Sequence, residues 1–234
     1  TMEIKIFLNS SNPEEILQYK ESDQVKGFIT SPSLMKESGV KNYMKFALQL
    51  SSEVPKDKHV SFGVMSDDFE EMERHARKIT SVSENFYAKI PITNTKGEPS
   101  YDLVKKLGDD GVKINVTSIT TTTQLNQLGP FLSKTTPSVV SYLAGTVSDT
   151  GEAPVSTALN AYTILKDNKS VEFLWEGCRQ VYNIYEANSV GCNIITVPSR
   201  LLPKLKLKGK SLTECSLDAV KDSYEGDMAA NYSL

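Results

Sequence analysis

The sequence predicts an α/β protein, a single (β/α)8 TIM barrel with an extra helix near its carboxyl end. Short β-rich segments recur along the 234 residues, and most are followed by apolar residues at helical spacing. Eight such alternations suit a closed parallel barrel, whereas an open doubly wound sheet usually has fewer strands and a glycine-rich first turn. The first turn here, Asn9-Ser-Ser-Asn12, contains no glycine. We therefore expect one domain over residues 1–234.

The predicted strands share short runs of β-branched, aromatic or other apolar residues. In chain order they are Ile4–Leu8, Gly27–Thr30, His59–Met65, Phe86–Ile92, Lys113–Thr117, Val139–Leu143, Val171–Trp175 and Cys192–Val197. After the eighth strand, Ser211-Leu-Thr-Glu214 matches a capping box. This predicts a last helix at about 211–224 that stops at Glu225-Gly226 and either covers the barrel bottom or reaches a neighbouring subunit.

Composition and charge exclude several classes of function. Charged residues make up 24% and hydrophobic residues 39% of the chain, as in an ordinary globular protein. A formal net charge of −3 argues against a nucleic-acid binder. Three scattered cysteines form neither a disulfide framework nor a zinc motif, and no segment is apolar enough for a membrane span. We expect a cytoplasmic protein that acts on a small molecule without a metal or cofactor.

Lys89 is the residue best suited to chemistry. It lies in Asn85-Phe-Tyr-Ala-Lys-Ile-Pro-Ile-Thr93, with apolar or aromatic residues on both sides. On an inner strand this lysine would be partly desolvated, which disfavours the ammonium form, lowers the pKa and frees the amine to attack a carbonyl. Taken alone, the same run also fits a lysine that reaches from a strand end to solvent.

Other catalytic chemistries have less support. The only histidines are His59, at the start of a strand, and His75, on a helix, so a histidine-based triad or metal site is not expected. Cys178 lies beside Arg179 but has no histidine base, and buried packing is the expected role for it.

Polar residues near the strand ends could meet a ligand. Strand alternation points Asn115 and Thr117 to the same side of the barrel. Their polar groups need hydrogen-bond partners there, which either an internal polar network or a polyhydroxylated ligand would provide. Arg179 follows Gly177 near the junction of the seventh strand and its helix. An arginine beside free helix N–H groups can bind an oxyanion, although a plain surface charge is the alternative.

Four motifs together resemble those of the transaldolase and fructose-6-phosphate aldolase family. They are Gly27-Phe-Ile-Thr-Ser-Pro-Ser33, Ala88-Lys-Ile-Pro91, Asn115-Val-Thr117 and Leu174-Trp-Glu-Gly-Cys-Arg179. The resemblance runs from Met2 to the last helix. It implies that Lys89 forms a Schiff base with a ketose and Thr117 orients a catalytic water. It also implies substrate binding, with Asn115 and Ser141 on the dihydroxyacetone part and Arg179 on the anionic end, and it adds the aligned positions Asn9, Ser31, Trp175 and Gly177.

The departures from the family pattern fall on the proton relay. Asn9 stands where the family has aspartate, and Gly63 where it has glutamate or glutamine. Ile29 and Ser31 replace threonine and asparagine. Since an amide cannot accept a proton as a carboxylate does, another group such as Glu176 or Asp149 would have to act. If none does, the chain is a catalytically inactive sugar-binding barrel.

A second set of departures falls on the anion pocket. Gly177 replaces a serine, Thr146 replaces a second arginine, and Leu143 replaces the tyrosine of the hydrolytic branch. A phosphate monoester carries up to about −2 charge, whereas a sulfonate carries only −1 and needs fewer cations. The resemblance is therefore greatest to a 6-deoxy-6-sulfofructose transaldolase of sulfoquinovose breakdown, which would pass dihydroxyacetone to glyceraldehyde 3-phosphate and release sulfolactaldehyde. A fructose-6-phosphate transaldolase or aldolase is the alternative, and the family resemblance suggests a homo-oligomer.

Overall fold

Eight parallel strands close into a barrel in the computed structural model, which describes residues 3–234. The strands are β1 (Lys5–Asn9), β2 (Gly27–Ile29), β3 (His59–Gly63), β4 (Phe86–Pro91), β5 (Ile114–Ile119), β6 (Ser138–Tyr142), β7 (Val171–Trp175) and β8 (Ile194–Val197). Each strand pairs with the next, and β8 pairs with β1. The predicted fold class is confirmed. Residues 1 and 2 of the predicted domain, and with them the Met2 end of the resemblance, lie outside the described residues.

Helices follow the strands and pack around the barrel. They are α1 (Pro13–Tyr19), α2 (Pro32–Glu37), α3 (Tyr43–Glu53), α4 (Phe69–Thr80), α5 (Tyr101–Asp109), α6 (Thr122–Leu128), α7 (Ala144–Asp149), α8 (Val155–Leu165), α9 (Tyr182–Ser189) and α10 (Leu212–Ala229). Short 3-10 helices lie at Gly129–Phe131 and Ser199–Leu207. Polar side chains cap several helix starts, as Asp68 does by accepting the N–H of Glu71. None of the helices among residues 3–234 has both the length and the apolarity that crossing a bilayer requires.

Two apolar clusters hold the barrel together. The larger one lies between strands and helices and includes Phe62, Phe86 and Trp175, all fully buried. The smaller one fills the middle of the barrel with Phe7, Ile29, Val139, Leu174 and Ile194, against which Tyr87 packs. Because this plug occupies the interior, ligand space is left at the carboxyl ends of the strands, the usual place for chemistry in this fold.

Polar and aromatic groups close the amino end of the barrel. Lys5 pairs with Glu172 at 2.5 Å across β1 and β7. His59 stacks on Tyr87 with ring centroids 4.0 Å apart. Burial, helped by the charges of Lys5 and Lys113, lowers the pKa of His59 to about 3, so this ring is neutral near pH 7.

The last helix differs from its prediction. It begins after Ser211, whose side chain accepts the N–H of Glu214, but it continues through Gly226 to Ala229, so the predicted stop at Glu225-Gly226 is wrong. One exposed helical glycine costs only about 1 kcal/mol relative to alanine, which is too little to end a helix by itself. No residue of α10 is buried in its own chain. The helix therefore does not cover the bottom of its own barrel.

Candidate active site

A cavity of about 130 Å³ opens at the carboxyl ends of the strands. Its walls come from six strands and the loops that follow them, so residues distant in the chain meet there. The lining residues are Ile29, Lys89, Asn115, Thr117, Ser118, Ser141, Leu143, Leu174, Glu176 and Thr196.

Lys89 reaches this cavity because β4 alternates strictly between its two faces. Ala88 and Ile90 are buried against the helices, whereas Tyr87 and Lys89 point inward. The Lys89 ammonium donates a hydrogen bond to the carbonyl oxygen of Thr30 at 3.0 Å. Burial lowers the pKa of Lys89 below the ordinary lysine value, and the charge of Glu176 opposes that shift. The site thus favours the neutral amine that nucleophilic attack requires.

A buried chain of hydrogen bonds runs beside Lys89 across β3, β5 and β6. The Ser141 hydroxyl donates to Asn115 Oδ1 at 2.6 Å, and Asn115 Nδ2 donates to Ser61 Oγ at 3.2 Å. Ser61 Oγ in turn contacts His59 Nε2, and a neutral His59 can accept the Ser61 hydroxyl proton. The second Asn115 N–H and the lone pairs of Ser141 then remain for a ligand. The chain holds both groups in one orientation at the cavity wall.

A backbone irregularity shapes the wall after Asn115. The register of β5 against β6 shifts between Val116 and Ile119, and Ser118 has a φ of +66°, which residues other than glycine rarely adopt. The bulge brings Thr117 and Ser118 to the lining together. Local strain of this kind is common at functional sites.

Glu176 contributes the carboxylate of the cavity. It follows the last residue of β7, and its N–H donates to the carbonyl of Tyr142 at 2.9 Å. Its own carbonyl accepts the N–H of Gly145 at 3.0 Å. Burial raises the pKa of Glu176, and the charge of Lys89 opposes that shift. Among the described residues that line this cavity, Lys89 and Glu176 are the two with ionisable side chains of opposite charge.

A second cavity of about 460 Å³ lies against the ends of β6 and β7. Two of its lining residues, Ala144 and Gly177, directly follow Leu143 and Glu176, which line the Lys89 cavity. Its walls consist of Ala144, Gly145, Ser148, Trp175, Gly177, Arg179, Gln180 and Asn183. Arg179 is exposed there and forms a two-pronged ion pair with Asp149, in which Nη2 lies 2.7 Å from Oδ2. Within the described lining, Arg179 is the one cation.

The sequence-predicted site residues divide into three groups. One group lines the Lys89 cavity: Lys89, Asn115, Thr117 and Ser141. A second group lines the Arg179 cavity: Trp175, Gly177 and Arg179. Asn9 and Ser31 line neither cavity, since Asn9 is the exposed last residue of β1 and Ser31 caps α2 by accepting the N–H of Leu34. Burial raises the pKa of the Cys178 thiol to about 11, which keeps it protonated near pH 7.

Three lining residues were not singled out from the sequence. Thr196 shares its inward face of β8 with Ile194, so strand alternation could have indicated it. Leu174 could have been found in the same way from its neighbours on β7. Ser118 carried no such signal, because only the bulge in β5 turns it towards the cavity.

Other cavities lie away from this constellation. A groove of about 170 Å³ outside the barrel is lined mainly by residues of α3 and α4, with Gly63 and Met65 at one side. A wider depression of about 650 Å³ at the amino end of β6–β8 is lined by Glu172 and Asn193 among others. Neither includes Lys89 or Glu176.

Comparison with known proteins identifies the family of this barrel. The model of the family described as "Transaldolase/Fructose-6-phosphate aldolase" matches residues 6–232. The chain belongs to the transaldolase/fructose-6-phosphate aldolase family. A "Probable transaldolase" of Methanococcus maripaludis strain C5 is 29% identical over 208 residues, which cover 86% of this chain and 89% of the relative. A "Probable transaldolase" of Thermoanaerobacter sp. strain X514 is 26% identical over 94% of this chain and 97% of its own length.

A solved structure supports the fold alone. An enolase superfamily member from Agrobacterium tumefaciens superposes with a TM-score of 0.56 at 9% identity, over 85% of this chain and 50% of that one. At this level of identity the likeness concerns the barrel and not its chemistry.

Asn9 and Gly63 differ from the residues that the transaldolase pattern has at these two positions, which are acidic or amide side chains. Asn9 has no carboxylate, and Gly63 has no side chain. A Cβ atom built on Gly63 would lie 2.9 Å from Pro32 Cδ, so a larger residue would displace that proline. The Tyr43 hydroxyl donates to the Gly63 carbonyl at 2.6 Å and fixes this strand end further.

The serine of the transaldolase pattern does not fit at Gly177. Gly177 has a φ of +98°, and a Cβ atom there would lie 2.7 Å from Gly145 Cα and 2.8 Å from Gly145 N. The two glycines cross so closely that each requires the other to lack a side chain.

We predict that Gly177→Ser lowers the free energy of unfolding more than Gly151→Ser. Gly151 also has a positive φ, of +87°, but a Cβ atom there meets nothing within 4 Å. The control therefore measures the backbone cost alone, and the clash at Gly177 should add about 1–3 kcal/mol. Urea unfolding of both variants provides the measurement. Equal destabilisation would show that the crossing with Gly145 relaxes without cost.

Proposed function

We propose that this family member is a Schiff-base transaldolase in which Lys89 bonds covalently to a ketose donor. The observation that supports this most directly is the buried Lys89 amine, with its lowered pKa, inside a cavity whose wall carries Asn115 and Ser141. The fixed hydrogen-bond chain leaves a donor on Asn115 and an acceptor on Ser141. Such a pair suits the hydroxyl groups of a dihydroxyacetone unit.

The proposed reaction balances without an added oxidant or metal. The neutral Lys89 amine adds to the C2 carbonyl of the ketose, and loss of water from the carbinolamine leaves an imine. When the C3–C4 bond breaks, its electron pair stays on C3 as an enamine, and the C4 hydroxyl proton passes to a base. The aldehyde then leaves. The enamine carbon then attacks the carbonyl carbon of an acceptor aldehyde and forms a new C3–C4 bond. Water hydrolyses the resulting imine to release the new ketose, and Thr117 has the proposed role of orienting that water.

The proposed donor is 6-deoxy-6-sulfofructose and the proposed acceptor is glyceraldehyde 3-phosphate, with sulfolactaldehyde released in sulfoquinovose catabolism. Support comes from the charge around Arg179, which shares its guanidinium with Asp149. Because Asp149 offsets much of the guanidinium charge, the site provides too little positive charge for a dianionic phosphate, whereas a monoanionic sulfonate needs less. Thr146, where the family has a second arginine, is exposed and uncharged.

Fructose 6-phosphate is the alternative donor, since the comparisons fit both sugars equally. A catalytically inactive sugar-binding barrel is less favoured, because Lys89 remains buried and a carboxylate, Glu176, lines its cavity although Asn9 and Gly63 provide none. Leu143 at the cavity wall, in place of a tyrosine, supports transfer over free aldol cleavage.

We further propose that α10 packs against a second copy of this chain. Leu217, Val220, Tyr224 and Met228 recur at helical spacing on one face, and each is more than half exposed. The family match runs to residue 232 and so includes this helix, and most soluble oligomers are homo-oligomers. Sedimentation of the full chain tests the proposal, since a species of 25.9 kDa alone would contradict it.

We predict that Lys89 carries the covalent intermediate. Incubation with a ketose donor and borohydride should reduce the imine and leave a stable adduct on the Lys89 peptide, detected by mass spectrometry. Lys89→Met should abolish both the adduct and turnover. Lys113→Met is a matched control, since Lys113 precedes β5 at the opposite end of the barrel. An adduct on another lysine would overturn the proposed mechanism.

We predict that kcat/KM for the sulfonated ketose exceeds that for fructose 6-phosphate by about ten- to a hundredfold. This range corresponds to the loss of one charge-assisted contact by the dianion, about 1.5–3 kcal/mol. Asp149→Asn should narrow the ratio, because the repulsion that it removes is greater for the dianion. Arg179→Ala should impair the sulfonated substrate strongly. Equal kcat/KM values for the two ketoses, or a higher value for fructose 6-phosphate, would contradict the sulfonate proposal and favour fructose 6-phosphate as the donor.

A further inference from the structure

We propose that Glu176 is the catalytic proton carrier of this site. It would take the C4 hydroxyl proton as the C3–C4 bond of the Lys89-bound ketose breaks, and return that proton to the oxygen of the acceptor aldehyde. This inference rests on the proposed Schiff-base function and names the group that completes it.

The need for such a group follows from the residues around Lys89. Breaking the C3–C4 bond requires a base for the hydroxyl proton, and an amide such as Asn9 cannot serve. Gly63 has no side chain at all. Within the described lining of the Lys89 cavity, Glu176 is the one carboxylate.

The backbone around Glu176 fixes where its side chain points. Hydrogen bonds to Tyr142 and from Gly145 hold both sides of its peptide. Gly177 then turns the chain through a φ of +98°, with its Cα in close contact with Gly145. Side chains along β7 alternate between its two faces, so Glu176 lies on the same inward face of the strand as Leu174. The carboxylate therefore faces the barrel interior from the end of β7, three strands away from β4, which carries Lys89.

Lys89 and Glu176 line the same cavity without pairing directly. No ion pair within 4 Å joins Lys89 to Glu176 among the described residues, although they share one cavity. The Lys89 ammonium instead donates to the Thr30 carbonyl. Substrate atoms bonded to Lys89 can thus lie between the amine and the carboxylate.

The electrostatics suit proton transfer in both directions. Burial raises the pKa of Glu176 above the ordinary glutamate value, and the opposite charge of Lys89 opposes that shift. A carboxylate that lines the Lys89 cavity and has a raised pKa is a better proton acceptor than an exposed carboxylate, and it can later return the proton. When Lys89 is engaged in a neutral carbinolamine, its stabilising charge is lost, which favours the protonated acid at the point where water must leave.

Asp149 is the weaker candidate for the same role. It is exposed, and its carboxylate is occupied by the Arg179 guanidinium, which lowers the pKa of Asp149. A carboxylate of low pKa is a poor proton acceptor at neutral pH. Asp149 also does not line the cavity that contains Lys89.

Borohydride trapping in Glu176→Gln separates the bond-breaking step from imine formation. The variant should still form an imine with the ketose, so the trapped adduct on Lys89 should retain the full carbon skeleton of the donor. The wild-type protein should instead accumulate a three-carbon adduct, because its C3–C4 bond has broken. Turnover should fall by about a hundredfold or more. Dihydroxyacetone supplied directly should give the three-carbon adduct in both proteins, which shows that Lys89 remains functional.

The pH profile and a matched variant exclude a merely structural role. Lys89 is the other ionisable group that faces Glu176 across the cavity. Once Lys89 is bonded to the ketose, Glu176 is the group of this pair left to titrate, so Glu176→Gln should weaken the acid limb of the kcat profile. Glu176→Asp should restore part of the rate. Glu172→Gln is the control, since Glu172 lies on the same inward face of β7 but pairs with Lys5 at the other end. Glu172→Gln should change the free energy of unfolding and leave the trapped Lys89 adduct the same as in the wild-type protein.

The experiment distinguishes a failure of the Schiff-base function from a failure of the role of Glu176. A wild-type protein that forms no adduct with any ketose would contradict the proposed function. A Glu176→Gln protein that gives the three-carbon adduct from the ketose at the wild-type rate would overturn the role of Glu176 while leaving the Schiff base in place.

Discussion

The burial of the Lys89 amine is the constraint on which the rest of the site depends. A charged ammonium in the barrel interior is costly, so it needs a hydrogen-bond acceptor and an opposite charge or it must lose its proton. The protein supplies the Thr30 carbonyl at 3.0 Å and the Glu176 carboxylate across the cavity. Burial outweighs both groups, so the pKa of Lys89 is lowered, and a lowered pKa is what the proposed Schiff-base chemistry requires of this lysine.

A pair of glycines connects the two cavities. Gly145 and Gly177 lie so close that a Cβ atom on either would overlap the backbone of the other. Glu176, which precedes Gly177, lines the Lys89 cavity, and both glycines line the Arg179 cavity. Loss of the family's serine at Gly177 and the shift of the carboxylate to Glu176 are therefore features of one local backbone arrangement. The proposed specificity at the anionic end and the proposed proton transfer at the reacting bond therefore depend on the same backbone arrangement.

Strand alternation made a large part of the site predictable from the sequence. The period of two along β5 pointed Asn115 and Thr117 to the same side, and the apolar run around Lys89 predicted an inner strand. The structure brings all three to one cavity. Contacts between distant segments were not predictable. Arg179 and Asp149 are 30 residues apart, and their pairing depends on how α7 packs beside β7. The choice between Glu176 and Asp149 therefore required the fold. The end of α10 was mispredicted because a local stop signal was weaker than the helix around it.

The ionisation of Lys89 in the free protein tests this account most directly. The rate at which dihydroxyacetone and borohydride modify Lys89 can be measured as a function of pH, with the Lys89 peptide quantified by mass spectrometry. The account predicts a midpoint clearly below the ordinary lysine pKa of about 10.4, and a lower midpoint still in Glu176→Gln, since the opposing charge is then absent. A midpoint at the ordinary value in both proteins would contradict the claim that burial activates this amine.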